Sequence, residues 1–385
     1  MDEAQNPFLV HHGRAPSVIV GRNDEVAAID ELLDAMASGA GAAPLVFCGR
    51  SGVGTTVVVR GVESRALERD WYVGFATPNI DEPLRDTVAR AFAAALTSFA
   101  ARRPGAAAVR SAAEAVAGFC PHVIDDLPGA VAAAAVDTPR GSFGRDLRRL
   151  IASVGDDLRD LVGRGLILVI DDLHRAQPDE IVELLAAFTE SMRDGQPVAI
   201  VAAGTPTLGH LATRAGLAGR VFDIAPLVAA DACKLVRDQA ATEAVFVDDE
   251  AVDAVVALTA GYPALVLLYA HAAWNAAAGP TITAADVAAG VAVARDRLAR
   301  NVLAPRFALA AAARRYVRAV AEADDPVDSD EIARRLGDTT RFGNGVSQLT
   351  ELRDELVRRG VLTNIDGARL AFAHPAARSY VLSWE

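Results

Sequence analysis

The apolar and polar positions divide the chain into three stretches of different rhythm. In the first, short continuous apolar runs are separated by segments with helical spacing. Leu45–Cys48, Trp71–Ala76, Leu166–Ile170 and Val198–Ala203 are apolar without alternation, the pattern of strands buried on both faces, and Val221-Phe222-Asp223-Ile224 reads as a short final strand. Between them, Ala27, Ile29, Leu32 and Leu33 mark a helix from about Asn23 to Met36, with Asn23 expected as its cap. Glu82–Ala101 reads as a helix, and so does Asp146–Val162, through Leu147, Leu150, Ile151, Val154, Leu158 and Leu161. Arg103–Gly144 is rich in Ala, Gly and Pro, has weak periodicity and reads as an insertion. Strands separated by helices and ending in polar loops predict an α/β, doubly wound parallel sheet with its ligands at the strand C-terminal ends.

After Leu227 the strand pattern stops. Ala230–Gln239, Asp249–Thr259, Ala264–Ala278 and Ala284–Val302 read as four helices, the last capped by Thr283. Helices are then expected at Phe307–Glu322, Ser329–Leu336 and Val346–Arg359. Gly360–Thr363 and Arg369–Phe372 follow, flanking Asp366-Gly367, a two-residue hairpin signal. Three helices and a hairpin are the pattern of a winged helix-turn-helix. The expected organisation is a sheet domain over 1–228 (insertion about 103–144), a helical lid over 229–303 and a winged helix over 304–385, with no internal repeat.

Two motifs carry chemistry. Leu45–Cys48 runs into Gly49-Arg50-Ser51-Gly52-Val53-Gly54-Thr55-Thr56, and an apolar segment of helical length follows. This is the layout of a phosphate loop, G-x-x-x-x-G-K-[ST], with Thr55 where the lysine belongs. Glycines let the backbone turn its N–H groups inward, and a helix start adds its positive end, so the loop favours an anion without side-chain charge. The second motif is Leu166–Ile170 ending in Asp171-Asp172. An apolar strand ending in Asp is by itself only a strand and a turn. Downstream of a phosphate loop, it reads as the delivery of carboxylates to a metal-bound phosphate.

Composition narrows the classes. The chain has 385 residues, 52% hydrophobic with 5% aromatic, so its core is mostly Ala, Val and Leu, against disorder. A net charge of −12 weakens broad nucleic-acid binding. Three cysteines without CxxC spacing fit a reducing compartment and no zinc site. The acidic start lacks the apolar region of a signal peptide, and no window of ~20 apolar residues is free of breakers, so a cytoplasmic protein without a membrane span is expected. Lys234 is the only lysine, but drift from Lys toward Arg would put Arg at position 55, not Thr.

At this point the chain resembles the bacterial branch of the AAA+/STAND ATPases related to origin-recognition proteins, over nearly its full length. The landmarks are Asn6-Pro7-Phe8, Gly21-Arg22 with Glu25, the loop Gly49–Thr56, Asp171-Asp172-Leu173-His174, Gly204-Thr205-Pro206, Arg220-Val221-Phe222, Gly261-Tyr262-Pro263 with Trp274, and the C-terminal winged helix. The resemblance implies ATP with Mg²⁺ held between sheet domain and lid. Gly49, Arg50, Ser51, Gly52, Val53, Gly54 and Thr55 would surround the phosphates, chiefly through backbone N–H groups, with Arg50 itself pointing at solvent. Thr56 and Asp171 would hold the metal. Asp172 stands where the family usually has Glu orienting the attacking water, and is one methylene shorter. Thr205 matches the sensor near the γ-phosphate, and Arg220 the basic residue close to the last strand, with a surface arginine as the competing reading. Val18, Ile19 and Gly21 resemble the segment packing on adenine, and Pro263 the lid proline closing over the base. A sensor arginine in the lid has no candidate.

A unit charge ~4 Å from a phosphate oxygen is worth roughly 4 kcal/mol at an effective dielectric of 20. Phosphoryl transfer depends on positioning and charge stabilisation, so loss of the lysine damages hydrolysis more than binding. The expected activity is a nucleotide-dependent switch with weak ATP binding and very slow or absent hydrolysis. The alternative is a non-catalytic winged-helix DNA-binding or protein-interaction protein that keeps the fold as scaffold. From Pro305 to Glu385 there are 12 Arg and 12 acidic residues, no basic excess for phosphate contacts, so a protein partner or self-association is favoured over DNA. His11-His12 lacks carboxylate or thiol company, His174 reads as a loop residue, and Ser51 has no His or Asp pattern of a nucleophile.

Overall fold

The computed structural model describes residues 5–8, 19–102, 107–126, 141–159, 165–336, 346–366 and 369–384. Its centre is made by the five predicted strands: β1 (Leu45–Cys48), β2 (Trp71–Ala76), β3 (Gly165–Ile170), β4 (Val198–Gly204) and β5 (Val221–Asp223). They form one parallel sheet in the order β2-β3-β4-β1-β5. Every residue of β1, β3 and β4 is buried, which is why these strands show no alternation. The fold is that of an α/β P-loop NTPase, as expected.

Helices α1 (Asn23–Ala37), α2 (Thr55–Glu68), α3 (Leu84–Arg102), α4 (Ala107–Phe119), α5 (Phe143–Arg159), α6 (Pro178–Arg193) and α7 (Pro206–Arg214) connect and cover the strands. α3 crosses β2 at Gly74, where a Cβ would run into the Ala91 carbonyl. Three expectations change. Arg22 rather than Asn23 precedes the first turn of α1, and no side chain caps it. The part of the insertion over 107–126 is helical, because α4 buries Val109, Ala112, Ala113, Val116 and Phe119, a face too alanine-rich to stand out in the sequence. α6 was not anticipated at all, although it buries Ile181, Leu184, Leu185, Phe188 and Met192 at helical spacing.

The second layer holds α8 (Ala229–Ala241), β6 (Phe246–Val247), α9 (Asp249–Thr259), α10 (Pro263–Ala276), β7 (Thr281–Ile282) and α11 (Ala284–Leu298). Thr283 caps α11 as expected, in a reciprocal box with Asp286. The lead-in Asn6-Pro7-Phe8 is tied to α10: Asn6 Nδ2 donates to the His271 carbonyl at 3.0 Å, and Phe8 meets Trp274 edge-on at 6.3 Å.

A π-turn, Ala299–Leu303, and a single helical turn, α12 (Ala304–Arg306), lead into the third unit. There α13 (Ala311–Glu322), β8 (Val327–Asp328), α14 (Ser329–Arg335), α15 (Val346–Arg358), β9 (Leu362–Asn364), β10 (Arg369–Phe372) and α16 (Ala377–Leu382) follow. The strands pair antiparallel in the order β8-β10-β9, and Gly367 of the expected turn lies outside the described residues. Phe307 does not open a helix as predicted. It is a core aromatic instead, packed on Phe372, Tyr380 and Trp384 at 5.7–6.2 Å between ring centres. Among the described residues no helix is long and apolar enough to cross a membrane.

Candidate phosphate-binding site

The loop after β1 is shaped by its glycines for two reasons. A Cβ on Gly49 would stand 2.5 Å from Val53 Cγ1 and 2.9 Å from the Ile224 carbonyl oxygen, so contact alone excludes a side chain. Gly52 and Gly54 have φ of +88° and +103°, the left-handed region that favours glycine. Gly49 N–H donates to the Gly204 carbonyl at 3.0 Å, which joins the start of the loop to the end of β4. Thr55 and Thr56 are the first residues of α2, whose opening N–H groups have no acceptor within the helix and carry its positive end. Arg22 braces the loop from behind. Its guanidinium is buried and donates to the carbonyls of Val53 (2.8 Å), Ala225 (2.9 Å) and Gly21 (3.0 Å).

The acid pair faces this loop. Thr56 Oγ1 donates to Asp171 Oδ2 at 2.8 Å, and Asp172 N–H donates to Asp171 Oδ1 at 2.9 Å. Burial, and then the neighbouring Asp172 carboxylate, raise the Asp171 pKa above the usual range. A hydroxyl beside a carboxylate short of positive charge fits Mg²⁺, which binds through one or two carboxylates together with phosphate oxygens. Asp172 sits in a left-handed conformation, φ +52°, which costs a non-glycine residue about 1–2 kcal/mol. Thr205 occupies the N-cap position of α7 at the end of β4 without a side-chain capping bond; it is buried, and among the described residues its Oγ1 has no hydrogen-bond partner. An orphaned hydroxyl beside the loop fits a ligand oxygen. Thus Gly49–Thr56, Asp171, Asp172 and Thr205 converge at the C-terminal ends of β1, β3 and β4.

The other expected residues divide. Pro263 opens α10 with its Cγ 3.9 Å from where a Gly54 Cβ would lie, and Ala264 N–H donates to the Gly52 carbonyl at 3.1 Å. Ile19 is 42% exposed, Gly21 takes φ +65°, and Val18 lies outside the described residues. Arg220 does not join the site. The β1–β5 register, Val46 against Val221, puts it beside Leu45 at the far end of the strand, roughly 13 Å below Gly49 at ~3.3 Å per residue. Among the described residues its buried Nε has no partner, and burial lowers its pKa against the opposing charge of Glu31. Nor does Arg50 point at solvent. Its Nε donates to the Phe372 carbonyl at 3.1 Å, and its Nη2 pairs with Asp325 at 3.4 Å.

That last contact exposes what sequence reasoning missed: the third unit covers the loop. Ser51 N–H donates to the Ala373 carbonyl at 2.7 Å, and Arg306 Nη1 donates to Ser51 Oγ at 2.8 Å. On the α7 side, Thr207 and Thr363 share a hydroxyl contact of 3.2 Å, and Asn364 N–H donates to Thr207 Oγ1 at 2.9 Å. Two buried histidines face each other's elements across this seam. His174 Nδ1 accepts weakly from Thr205 N–H at 3.4 Å, while Nε2 lies 3.3 Å from where a Gly360 Cβ would be. His374 Nδ1 accepts from Ala376 N–H at 3.2 Å, and Nε2 lies 4.0 Å from a Gly52 Cβ position. Burial, then the charges of Arg175 and Arg306, lower His174 to about 3; burial, then Arg306 and Arg50, lower His374 to about 4. No local spacing links these groups, so no sequence signal could have joined them.

Elsewhere, Asp86, Cys120 and His122 bring three donor atoms within 4.8 Å of one another. The Cys120 thiol donates to Asp86 at 3.3 Å and is pushed up to about 11, chiefly by burial. The guanidinium of Arg85, held by Asp146 at 2.9 Å, is close enough to oppose that rise, so a cation there meets a positive neighbour.

Residues 18–201 match the AAA ATPase domain family, and residues 300–381 match a domain of unknown function (DUF8462). No curated relative matches the sequence. Among solved structures, the Walker-type ATPase of Pyrococcus abyssi is 14% identical and aligns over 98% of this chain and 99% of that chain, with a TM-score of 0.54. The Orc1 protein of Aeropyrum pernix in complex with DNA is 18% identical over 98% and 96% of the two chains, at a TM-score of 0.48. The RuvB Holliday junction branch migration motor of Thermotoga maritima is 15% identical over 95% and 96%, at 0.46. At such identities the likeness concerns the fold alone. The loop after β1 and the acids at the end of β3 fit a P-loop nucleotide-binding fold, and residues 18–201 are similar to the AAA ATPase domain family.

Proposed function

We propose that the chain is a nucleotide-dependent switch of the AAA+/STAND type, which binds ATP at Gly49–Thr56 and hydrolyses it very slowly or not at all. Thr56 and Asp171 would hold Mg²⁺, which supplies charge neutralisation to the phosphates when bound. The observation that carries the reading is the bond from Ser51 N–H to the Ala373 carbonyl. One residue of the phosphate loop is shared with the C-terminal unit, so occupancy of the loop and docking of that unit bias each other. With the N–H groups of Gly49, Ser51 and Val53 engaged by the Gly204, Ala373 and Arg50 carbonyls, the phosphates would be met by Gly52, Gly54 and the start of α2, while Thr55 lacks the charge that hydrolysis needs.

The C-terminal unit has the make-up of a winged helix, and its charges favour a protein partner over DNA. Arg353 pairs with Asp354, Arg359 with Glu355, Arg335 with Glu331 and Arg369 with Asp366, each within 3.0 Å. Arginines neutralised by their neighbours release few counterions from DNA. Salt-independent retention on duplex DNA is expected, and steeply salt-dependent retention would favour the DNA-binding alternative.

Calorimetric titration of the full chain with Mg-ATP, paired with a turnover assay, tests the switch. Binding in the micromolar range without appreciable turnover is the expected result. Absence of heat overturns the binding half, and turnover typical of kinases and ATPases, about 1 s⁻¹ or faster, overturns the other.

A further inference from the structure

We infer that Arg306 supplies the cation the loop lacks at Thr55, and supplies it from the C-terminal unit, so that the phosphate site is electrostatically complete only while that unit is docked. The inference rests on the nucleotide reading above and names the residue that makes it work.

Three observations meet at this side chain. Its Nη1 donates to Ser51 Oγ at 2.8 Å, inside the loop that lacks a lysine. It is half-buried, and among the described residues it makes no ion pair. Asp172 is the carboxylate whose charge it feels, Arg175 opposes it, and burial lowers its pKa. The two histidines that feel its field, His174 and His374, are uncharged at neutral pH, so neither competes as a cation nor neutralises it. A guanidinium held partly out of water without a carboxylate partner is costly, and an arriving phosphate offsets that cost with a charge-assisted hydrogen bond.

Its backbone, in α12, stands at the start of the C-terminal unit. The next residue, Phe307, is locked into the aromatic cluster of the C-terminal unit with Phe372, Tyr380 and Trp384. Phe372 in turn accepts from Arg50, and its neighbour Ala373 accepts from Ser51. Displacing the unit from the loop therefore withdraws the cation. By reciprocity, bound nucleotide holds the unit down by the same factor by which docking tightens nucleotide.

The test is a charge swap in the full-length protein, read by calorimetric titration with Mg-ATP. Thermal melting confirms folding of each variant. Arg306→Gln is expected to weaken binding by up to roughly 1000-fold, the charge estimate above taken at tenfold per 1.4 kcal/mol. Thr55→Lys in the Arg306→Gln background is expected to recover most of that loss and to gain clearly less in wild type, whereas equal gains in the two backgrounds would mean a merely structural role for Arg306 and overturn the inference. Arg306→Met, which keeps much of the stem's packing without the charge, replaces Arg306→Gln if that variant does not fold. Equal affinity of wild type and the Arg306 variant overturns the inference and leaves the nucleotide reading standing. Tighter binding by the variant, or no rescue by Thr55→Lys, also overturns it. A silent wild type overturns the nucleotide reading, and the inference with it.

Discussion

Thr205 shows how one residue can separate function from stability. Its Oγ1 is buried and, among the described residues, unpartnered, so the free protein carries the cost of a desolvated hydroxyl, about 1–3 kcal/mol. Thr205→Val keeps the shape and removes the hydroxyl. Stability of the free protein is expected to rise by about 1 kcal/mol or stay level, while Mg-ATP affinity falls. Urea unfolding and titration, run side by side, check the opposite signs; a loss of both would mean the hydroxyl is only structural. Gly49 gives the converse case. Because a Cβ there meets Val53 and the Ile224 carbonyl, Gly49→Ala is expected to cost about 1–3 kcal/mol as overpacking, visible as a lower melting temperature.

At the scale of elements, the seam between α7, the β3 end and the β9–β10 hairpin is set by two neutral imidazoles. An exposed histidine titrates near 6.5. His174 and His374 are held at about 3 and about 4 in the folded state. A folded pKa below the unfolded one means the unfolded chain binds more protons as pH falls. Stability is therefore full above about pH 6.5 and falls on acidification toward pH 4 and 3, by up to ~1.4 kcal/mol per pH unit for each histidine. Asp171, with its raised carboxyl, acts in the opposite sense. Comparison with a histidine variant therefore separates the imidazole's part from that of the raised carboxyls Asp171 and Glu180. Urea midpoints measured at pH 7, 6 and 5 are expected to fall, and less so in His374→Asn. A flat midpoint in wild type would contradict the buried neutral state.

For the whole molecule, the C-terminal unit keeps its own aromatic core and meets the loop and α7 largely through polar contacts. An interface of this kind opens at lower free energy than the sheet it covers. In mild urea, proteolysis within 299–311 is expected before the circular dichroism of the sheet changes, and Mg-ATP is expected to slow it. Simultaneous loss of both would mean that the units unfold as one.

The β1–β5 sheet, the glycine loop, the acids closing β3 and the vacancy at Thr55 were all legible in the residue string. Each depends on neighbours a few positions apart: continuous burial makes an apolar run, and a tight turn needs its glycines in sequence. α4 escaped because alanine gives little contrast between a buried and an exposed face. Arg220 was misplaced because its position close to the last strand did not say which end of the sheet it occupies; the register does. Arg306 was invisible for a different reason. It reaches Ser51 across 255 residues of chain, and no periodicity or motif spacing spans that distance. Local pattern determined that a glycine loop follows β1 with Thr55 where the phosphate-loop motif has lysine. Which charge stands beside it, and which unit brings it there, followed only from how the chain packs upon itself.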